Sequence, residues 1–217
     1  MNILCVMAHP DDEVLGCGGT IARFVREEHN VRVMAFTDGG GARGPGNERW
    51  HQLREASFIL GFTVMDHYGV GFVNNAMDGV PLLDVIKSME TSLRKSAFVP
   101  DIVLTHSPWC LNVDHKCVFQ AAEVVFRTSP ARVMCFEVPS SSEWAVTSKF
   151  QANCHVKLGQ ADIDMKVRTL REAYGSELRS SPHPRSVEAV VCSAVLAGAE
   201  VCVPFAERFM IARDVML

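Results

Sequence analysis

Short apolar runs alternate with longer segments of helical spacing along the first two thirds of the chain. The apolar runs predict strands over Asn2 to Met7, Val31 to Phe36, Thr63 to Tyr68, Asp101 to Thr105 and Val133 to Val138. The intervening segments predict helices over Glu13 to Glu28, Asn47 to Leu60, Pro81 to Ser96 and His115 to Phe126. Strand, helix and strand in succession are βαβ units, which predict a parallel sheet with right-handed crossovers.

The pattern changes after Pro139. A short strand is predicted over Cys154 to Leu158, an amphipathic helix over Asp162 to Tyr174 and a last helix over Ser186 to Ala197. No linker, repeat or low-complexity segment separates this part from the rest, so we expect one domain over residues 1–217. The predicted fold class is α/β: a Rossmann-like three-layer sandwich around a mostly parallel central sheet, with the C-terminal part as a flank or lid.

Composition narrows the class of protein. The chain has 217 residues and 48% hydrophobic content, which is enough to bury a core without disulfide staples. A net charge of -4 without any block of lysine and arginine argues against a nucleic-acid partner. The apolar runs are of strand length, so we expect no membrane span. Because Met1 and Asn2 lead directly into a strand without a basic leader, we expect a cytoplasmic protein.

Eight cysteines occur, without a CxxC pair. Six of them lie among apolar neighbours in predicted strands and helices, and we interpret these as reduced thiols of the core: Cys5, Cys17, Cys117, Cys135, Cys192 and Cys202. Cys110 and Cys154 lie in predicted loops or at a strand edge, and without paired spacing they make poor zinc ligands.

Polar clusters follow three of the predicted strands. They occupy His9 to Glu13, Thr37 to Arg43 and His106 to His115. In open α/β sheets ligands bind beyond the carboxyl ends of the strands, near the point where the strand order reverses. The clusters therefore predict a site at that edge.

His9 and Asp12 are three positions apart on a strand-to-helix turn, so both can face one point. With His115 they form a set of two histidines and one carboxylate, which suits zinc or another divalent metal such as iron. Asp11 beside such a metal is a natural general base. The alternative is that Asp11 to Glu13 merely cap a helix, and that Asp114 caps a helix and leaves His115 incidental. Asp114 is also a candidate to fix the tautomer of a ligand histidine.

Several motifs together resemble those of the PIG-L/LmbE-like zinc-dependent N-deacetylases. They are Ala8-His9-Pro10-Asp11-Asp12-Glu13 with Gly16, Gly18 and Gly19, then Asn47 to Gly61, Leu111 to Lys116, Glu143-Trp144, Lys166 to Leu178, Pro182 to Ser186 and Ala206 to Phe209. The resemblance implies zinc bound by His9, Asp12 and His115, with Asp11 as general base. It implies hydrolysis of the N-acetyl group of an N-acetylglucosamine-like amino sugar or glycoconjugate, and a possible homo-oligomer.

The chain departs from the family pattern at two positions. Asn112 stands where many members have a histidine able to steady the oxyanion, and Cys110 stands where others have an aspartate. We therefore predict either Asn112 or His183 as the oxyanion donor, although His183 between two prolines also fits a stiff surface turn.

For substrate binding we predict Arg49, Asp114 and Arg185. Arg49 suits a sugar hydroxyl, phosphate or carboxylate, although a plain helix-surface arginine fits the pattern equally. His106 is interpreted as part of the wall of the site.

Two rival functions stay open at this point. One is a metal-dependent amidohydrolase acting on another acyl-amide, and the other is a catalytically impaired homologue that only binds sugar or metal. A nucleotide-dependent dehydrogenase is rejected because Gly16 to Gly19 contain no GxGxxG and acidic residues precede them.

Overall fold

The computed structural model describes residues 1–38, 46–66, 72–146 and 148–216. Its strands are β1 (Asn2–Met7), β2 (Asn30–Ala35), β3 (Thr63–Val64), β4 (Ile102–His106), β5 (Arg132–Phe136), β6 (Cys154–Leu158) and β7 (Phe205–Arg213). Its α-helices are α1 (Asp12–Arg26), α2 (Gly46–Leu60), α3 (Leu82–Ser96), α4 (Val113–Phe126), α5 (Gln160–Glu172) and α6 (Val187–Ala199). Arg43 and Tyr68, which fall in predicted segments, lie outside the described residues.

Within these ranges the strands form a seven-stranded sheet in the order β3-β2-β1-β4-β5-β7-β6. The first five strands are parallel, and β7 runs antiparallel to both β5 and β6. The chain builds outward from β1 to β2 and β3, then returns to the other side of β1 with β4. The strand order therefore reverses between β1 and β4, which is the switch point that the sequence predicts for the site.

The sheet is covered on both faces, as strands apolar on both sides require. Ile3 and Cys5 of β1 face a core shared with α1, α2 and α5, whereas Leu4 and Val6 face a core shared with α3 and α4. This arrangement confirms the predicted three-layer α/β fold with a mostly parallel sheet.

The sequence did not predict β7. Glu207 and Arg208 are the third and fourth of its nine residues, and this charged pair hides the apolar alternation of the strand. Glu207 is nevertheless buried, because its carboxylate accepts hydrogen bonds from the Lys166 ammonium and from the backbone N–H groups of Gly19 and Thr20. The C-terminal part therefore extends the sheet and clamps α1 at the flank.

Three local predictions were wrong. The strand β3 covers only Thr63–Val64, and Met65 and Asp66 are not part of it. The helix α4 begins two residues before His115, because the side chain of Asn112 caps it. Cys192 and Cys202 are exposed and do not fill a core.

None of the described helices combines the length and apolar character that crossing a bilayer requires.

Candidate metal centre and catalytic pocket

The ends of β1 and β4 bring two of the predicted polar clusters together, His9 to Glu13 and His106 to His115. These strands are adjacent and parallel, so the residues that follow Met7 and those that follow His106 meet at one edge of the sheet. His9 and Asp12 come from the first connection, and His115 comes from the first turn of α4. The two histidines are 106 residues apart in the sequence and are brought together by the pairing of β1 with β4 and by the packing of α4 on these strands.

His9, Asp12 and His115 converge on one point. The Nδ1 atom of His9 lies 3.2 Å from Nε2 of His115 and 3.2 Å from Oδ2 of Asp12. Nε2 of His115 lies 3.4 Å from the same Asp12 oxygen. All three residues are buried, and one ligand atom of each lies within 4.8 Å of the others. The predicted ligand set is therefore a potential metal site.

The hydrogen-bond partners fix which nitrogen of each imidazole points inward. Nε2 of His9 lies 2.9 Å from the carboxylate of Asp114, which accepts its proton. Nδ1 of His115 lies 3.1 Å from Sγ of Cys110 on the outer side of the ring. Two imidazole lone pairs and an Asp12 oxygen thus face one another, and Oδ1 of Asp12 is buried without a hydrogen-bond partner. Converging lone pairs repel unless a cation lies among them, so this donor set fits a divalent metal.

The electrostatics of the cluster favour a positive charge. Burial opposes ionisation of Asp12, but the nearby histidines outweigh it and hold the pKa of Asp12 well below its usual value. Burial lowers the pKa of His115, but the Asp12 carboxylate outweighs that effect and raises the pKa to about 10. The same balance, with Asp114 added, raises the pKa of His9. The pocket around Asp12 therefore attracts either protons or a metal cation.

His106 forms the floor beneath the ligands. Its ring stacks on that of His115, with centroids 3.8 Å apart and an angle of 11° between the planes. Its Nε2 atom accepts the backbone N–H of Ala8 at 2.9 Å. Burial lowers the pKa of His106 to about 3, so the ring is neutral. This location agrees with its interpretation as a wall residue.

Asp11 faces away from the ligand cluster, although it is the neighbour of Asp12. Its backbone has φ of 112°, in the left-handed region that a non-glycine residue adopts at a cost. Its N–H donates to Oε2 of Glu13 at 3.0 Å. Oδ2 of Asp11 accepts hydrogen bonds from Arg49 and from Arg185, each at 3.1 Å. Within the described residues Oδ1 of Asp11 has no partner, so it is the oxygen available to a reactant in the pocket.

The pKa of Asp11 suits a base. Burial raises this pKa, and the charges of Arg185 and Arg49 offset the rise only in part. A carboxylate with a raised pKa takes up a proton more readily near neutral pH than a solvated one.

A second layer of side chains holds Asp11 in this unusual backbone conformation. The Tyr174 hydroxyl donates to Oε1 of Glu13 at 2.7 Å, and burial raises the pKa of Glu13 to about 8. Glu177 lies 2.8 Å from Nη1 of Arg49 and 3.4 Å from Nη1 of Arg185. Tyr174 and Glu177 lie in the predicted motif Lys166 to Leu178 but were given no role, because the sequence does not show which side chains of that segment reach the site.

Arg49 and Arg185, predicted for substrate binding, both line the pocket. Each donates to Asp11, and Arg185 also donates from Nε to the hydroxyl of Ser140 at 2.7 Å. Arg49 is therefore neither a plain surface residue nor an isolated cation, since its side chain is 14% exposed and ion-paired.

His183 presents a hydrogen-bond donor to the pocket. The backbone N–H of Arg185 donates to Nδ1 of His183 at 3.0 Å, which leaves the ring proton of the neutral form on Nε2. The ring is half-buried and meets Trp144 edge to face, with centroids 6.0 Å apart. Trp144 is half-exposed and lines the same cavity.

Asn112 is engaged in helix capping. Its Oδ1 atom accepts the backbone N–H groups of Asp114 at 2.8 Å and His115 at 3.4 Å. Its amide nitrogen donates to Oδ1 of Asn75 at 3.4 Å. Asn112 lines the pocket, but its polar atoms already have partners.

Asp114 lies behind His9 and is fully buried. Its carboxylate accepts hydrogen bonds from the His9 ring and from the backbone N–H groups of Asn75 at 2.6 Å and Met77 at 3.0 Å. This position agrees with the prediction that Asp114 fixes the tautomer of a ligand histidine. Asp114 does not line the cavity, where the other predicted substrate-binding residues lie.

The cavity in front of these residues has a volume of about 680 Å³. Its lining is mainly polar and includes His9, Asp11, Arg49, Asn112, His115, Ser140, Trp144, Glu177, Arg179, His183 and Arg185. Such a volume is within the range of small-molecule sites.

The fold and the site together define an α/β protein with a potential metal site at the switch point of its sheet, next to a polar cavity. Residues 4–126 match the family described as PIG-L, GlcNAc-PI de-N-acetylase. The chain belongs to this family, as its motifs predict.

Named relatives are deacetylases. The uncharacterized deacetylase YaiS of Escherichia coli is 30% identical over 144 residues, which cover 64% of this chain and 75% of that protein. The diacetylchitobiose deacetylase of Thermococcus kodakarensis is 30% identical over 116 residues, which cover 50% of this chain but only 41% of that protein. The structure of N,N'-diacetylchitobiose deacetylase from Pyrococcus horikoshii has a TM-score of 0.75 at 20% identity, covering 97% of this chain and 83% of that one, and it shares the fold.

Proposed function

We propose that this chain is a metal-dependent hydrolase that removes the N-acetyl group from an N-acetylglucosamine-like amino sugar or glycoconjugate. The observation that carries the proposal is the convergence of the His9, Asp12 and His115 lone pairs at the edge of a cavity that Asp11 also lines. A bound zinc or similar divalent ion would polarise the acetamide carbonyl and acidify a water molecule.

Asp11 is the proposed general base. Its Oδ2 atom is held by Arg49 and Arg185, so the carboxylate keeps one orientation while Oδ1 receives the proton of the attacking water. The same oxygen then returns this proton to the departing amine. Proton transfer by a positioned side chain contributes on the order of 10²–10⁴ in rate.

His183 is the proposed oxyanion donor, because its Nε2–H is set by the Arg185 amide and its ring lines the cavity. Asn112 is the weaker candidate, since its carbonyl oxygen caps α4 and its amide nitrogen is directed toward Asn75. A donor placed at the developing oxyanion contributes about 10²–10³ in kcat.

The acetylated sugar as substrate is supported by the family and by the cavity. The related proteins named above include deacetylases of diacetylchitobiose. The cavity is lined by hydrogen-bonding groups and by the ring of Trp144, and an indole face is a suitable contact for the apolar face of a sugar.

The test measures amine release with fluorescamine from a panel of substrates in the presence of zinc. The panel contains N-acetylglucosamine, diacetylchitobiose, their N-propionyl analogues and an N-acetylated amino acid. We expect release from the acetylated sugars, with at least a tenfold preference over the other compounds. Preference for the amino acid would identify an amidohydrolase of another class. The absence of amine from every compound, with stoichiometric metal bound, would identify a binding protein and contradict the proposal.

A further inference from the structure

Cys110 lies directly behind a predicted metal ligand. Its side chain is 1% exposed, and Sγ lies 3.1 Å from Nδ1 of His115. Two hydroxyl groups surround the same sulfur: Ser141 Oγ at 3.0 Å and Ser142 Oγ at 3.8 Å. The sulfur is therefore surrounded by polar groups next to the ligand cluster, although a cysteine sulfur is a weak hydrogen-bond acceptor.

The Cys110 sulfur is not one of the atoms that converge on the potential metal site. The cluster found among the described residues consists of His9, Asp12 and His115. The sulfur contacts the nitrogen of His115 on the opposite side of the ring from Nε2, which faces Asp12. A metal bound at Nε2 would thus be separated from the sulfur by the imidazole ring.

The two ligand histidines are supported in parallel ways. The outer nitrogen of His9 meets the Asp114 carboxylate at 2.9 Å, and the outer nitrogen of His115 meets the Cys110 sulfur at 3.1 Å. A ligating histidine usually donates its other N–H to a carboxylate, carbonyl or water, and this partner fixes the ring orientation and the tautomer. Within the described residues, the side-chain partner of His115 Nδ1 is the Cys110 sulfur and not a carboxylate.

We propose that Cys110 is a positioning residue, whose sulfur accepts the Nδ1–H of His115 and holds the Nε2 lone pair toward the metal. This inference rests on the metal site of the proposed function. The stacked His106 ring fixes the plane of His115 but has no polar contact with its Nδ1, so it cannot select the tautomer. The Cys110 sulfur selects the tautomer with the proton on Nδ1, and the hydroxyl groups of Ser141 and Ser142 hold the sulfur in place.

The test compares the zinc affinity of the metal-free protein, measured by competition with a chromophoric chelator, among cysteine variants. We expect Cys110→Ala to weaken zinc binding about 10–100-fold, the range seen when such partners of metal ligands are lost. Cys110→Asp, which restores a strong acceptor, should bind zinc within about threefold of the wild type. Cys135→Ala removes a buried sulfur from β5 and should leave zinc affinity unchanged, which controls for the loss of core packing.

A second measurement needs no variant. In the zinc-loaded wild type, long-range ¹H–¹⁵N correlation of the histidine rings should show the His115 proton on Nδ1 and the metal on Nε2. Zinc on Nδ1 of His115 would overturn the inference, and so would Cys110→Ala with wild-type zinc affinity or Cys110→Asp no better than Cys110→Ala. A wild-type protein that binds no zinc would overturn the metal site itself, which is a different and recognisable failure.

Discussion

At the scale of single residues, the two adjacent aspartates have opposite surroundings. Asp12 faces the imidazole nitrogens of His9 and His115, whereas the positive φ of Asp11 turns its carboxylate toward two arginines. A regular helical backbone at Asp11 would not separate the two carboxylates in this way. The strain of order 1–3 kcal/mol is retained because the contacts of Glu13, Arg49 and Arg185 over-determine the conformation.

The separation of roles predicts different effects of two matched substitutions. Asp11→Asn keeps the shape of the side chain but removes the base, so we expect turnover to fall about 10²–10⁴-fold with metal content unchanged. Asp12→Asn serves as the comparison and should lose the metal as well as the activity. Metal analysis and fluorescamine assays on the same preparations check both. Near-native turnover by Asp11→Asn would remove Asp11 from the role of base.

At the scale of elements, the C-terminal part is tied to the first helix by a buried ion pair. The Lys166 ammonium on α5 lies 2.6 Å from Glu207 on β7 and also donates to the carbonyl of Leu15 on α1 at 3.0 Å. Glu207 in turn accepts the Gly19 amide, so one carboxylate joins three elements. Because the first turn of α1 carries Asp12, this clamp also supports one side of the potential metal site.

We predict that Lys166→Met lowers the free energy of unfolding by about 3–5 kcal/mol, because it leaves the Glu207 charge buried without its partner. The measurement is urea denaturation followed by circular dichroism. Lys157→Met, at an exposed position of the neighbouring β6, should change stability by less than about 0.5 kcal/mol. A loss in Lys166→Met no larger than that of the Lys157 control would show that the pair contributes nothing to the clamp.

At the scale of the whole molecule, the metal site joins two connections that are distant in the sequence. His9 and Asp12 follow β1, and His115 follows β4, so a bound metal would link the two halves of the sheet at its switch point. A ligand that binds only the folded chain stabilises it by mass action. A metal bound there would therefore couple its own binding to folding through this edge of the sheet.

We expect zinc at 100 times its Kd to stabilise the metal-free protein by about 2.7 kcal/mol, which corresponds to a rise in Tm of roughly 5–10 °C for a chain of this size. Asp12→Ala should abolish the rise, whereas Asp11→Asn should retain it. Differential scanning fluorimetry with and without zinc provides the measurement. An equal rise in Asp12→Ala would place the stabilising metal elsewhere.

The parts of the fold that were predicted from the sequence are those with a local signal. The run Asn2 to Met7 coincides with β1 because a strand covered on both faces is apolar at nearly every position, here from Ile3 to Met7. The nine-residue β7 was missed because Glu207 near its start is buried through partners on α1 and α5, which the local sequence does not show. The start of α4 was placed late because the cap is Asn112, whose capping oxygen is not distinguishable from a loop amide until the backbone is known.

The sequence by itself determined the fold class, the family and the convergence of His9, Asp12 and His115, because strand periodicity and motif spacing are properties of short stretches. Only the tertiary structure decided which atom meets which: Nδ1 of His9, Nε2 of His115 and the Cys110 sulfur behind it. A residue type specifies which hydrogen bonds a side chain is able to make, whereas the partner is chosen by the packing of elements far apart along the chain.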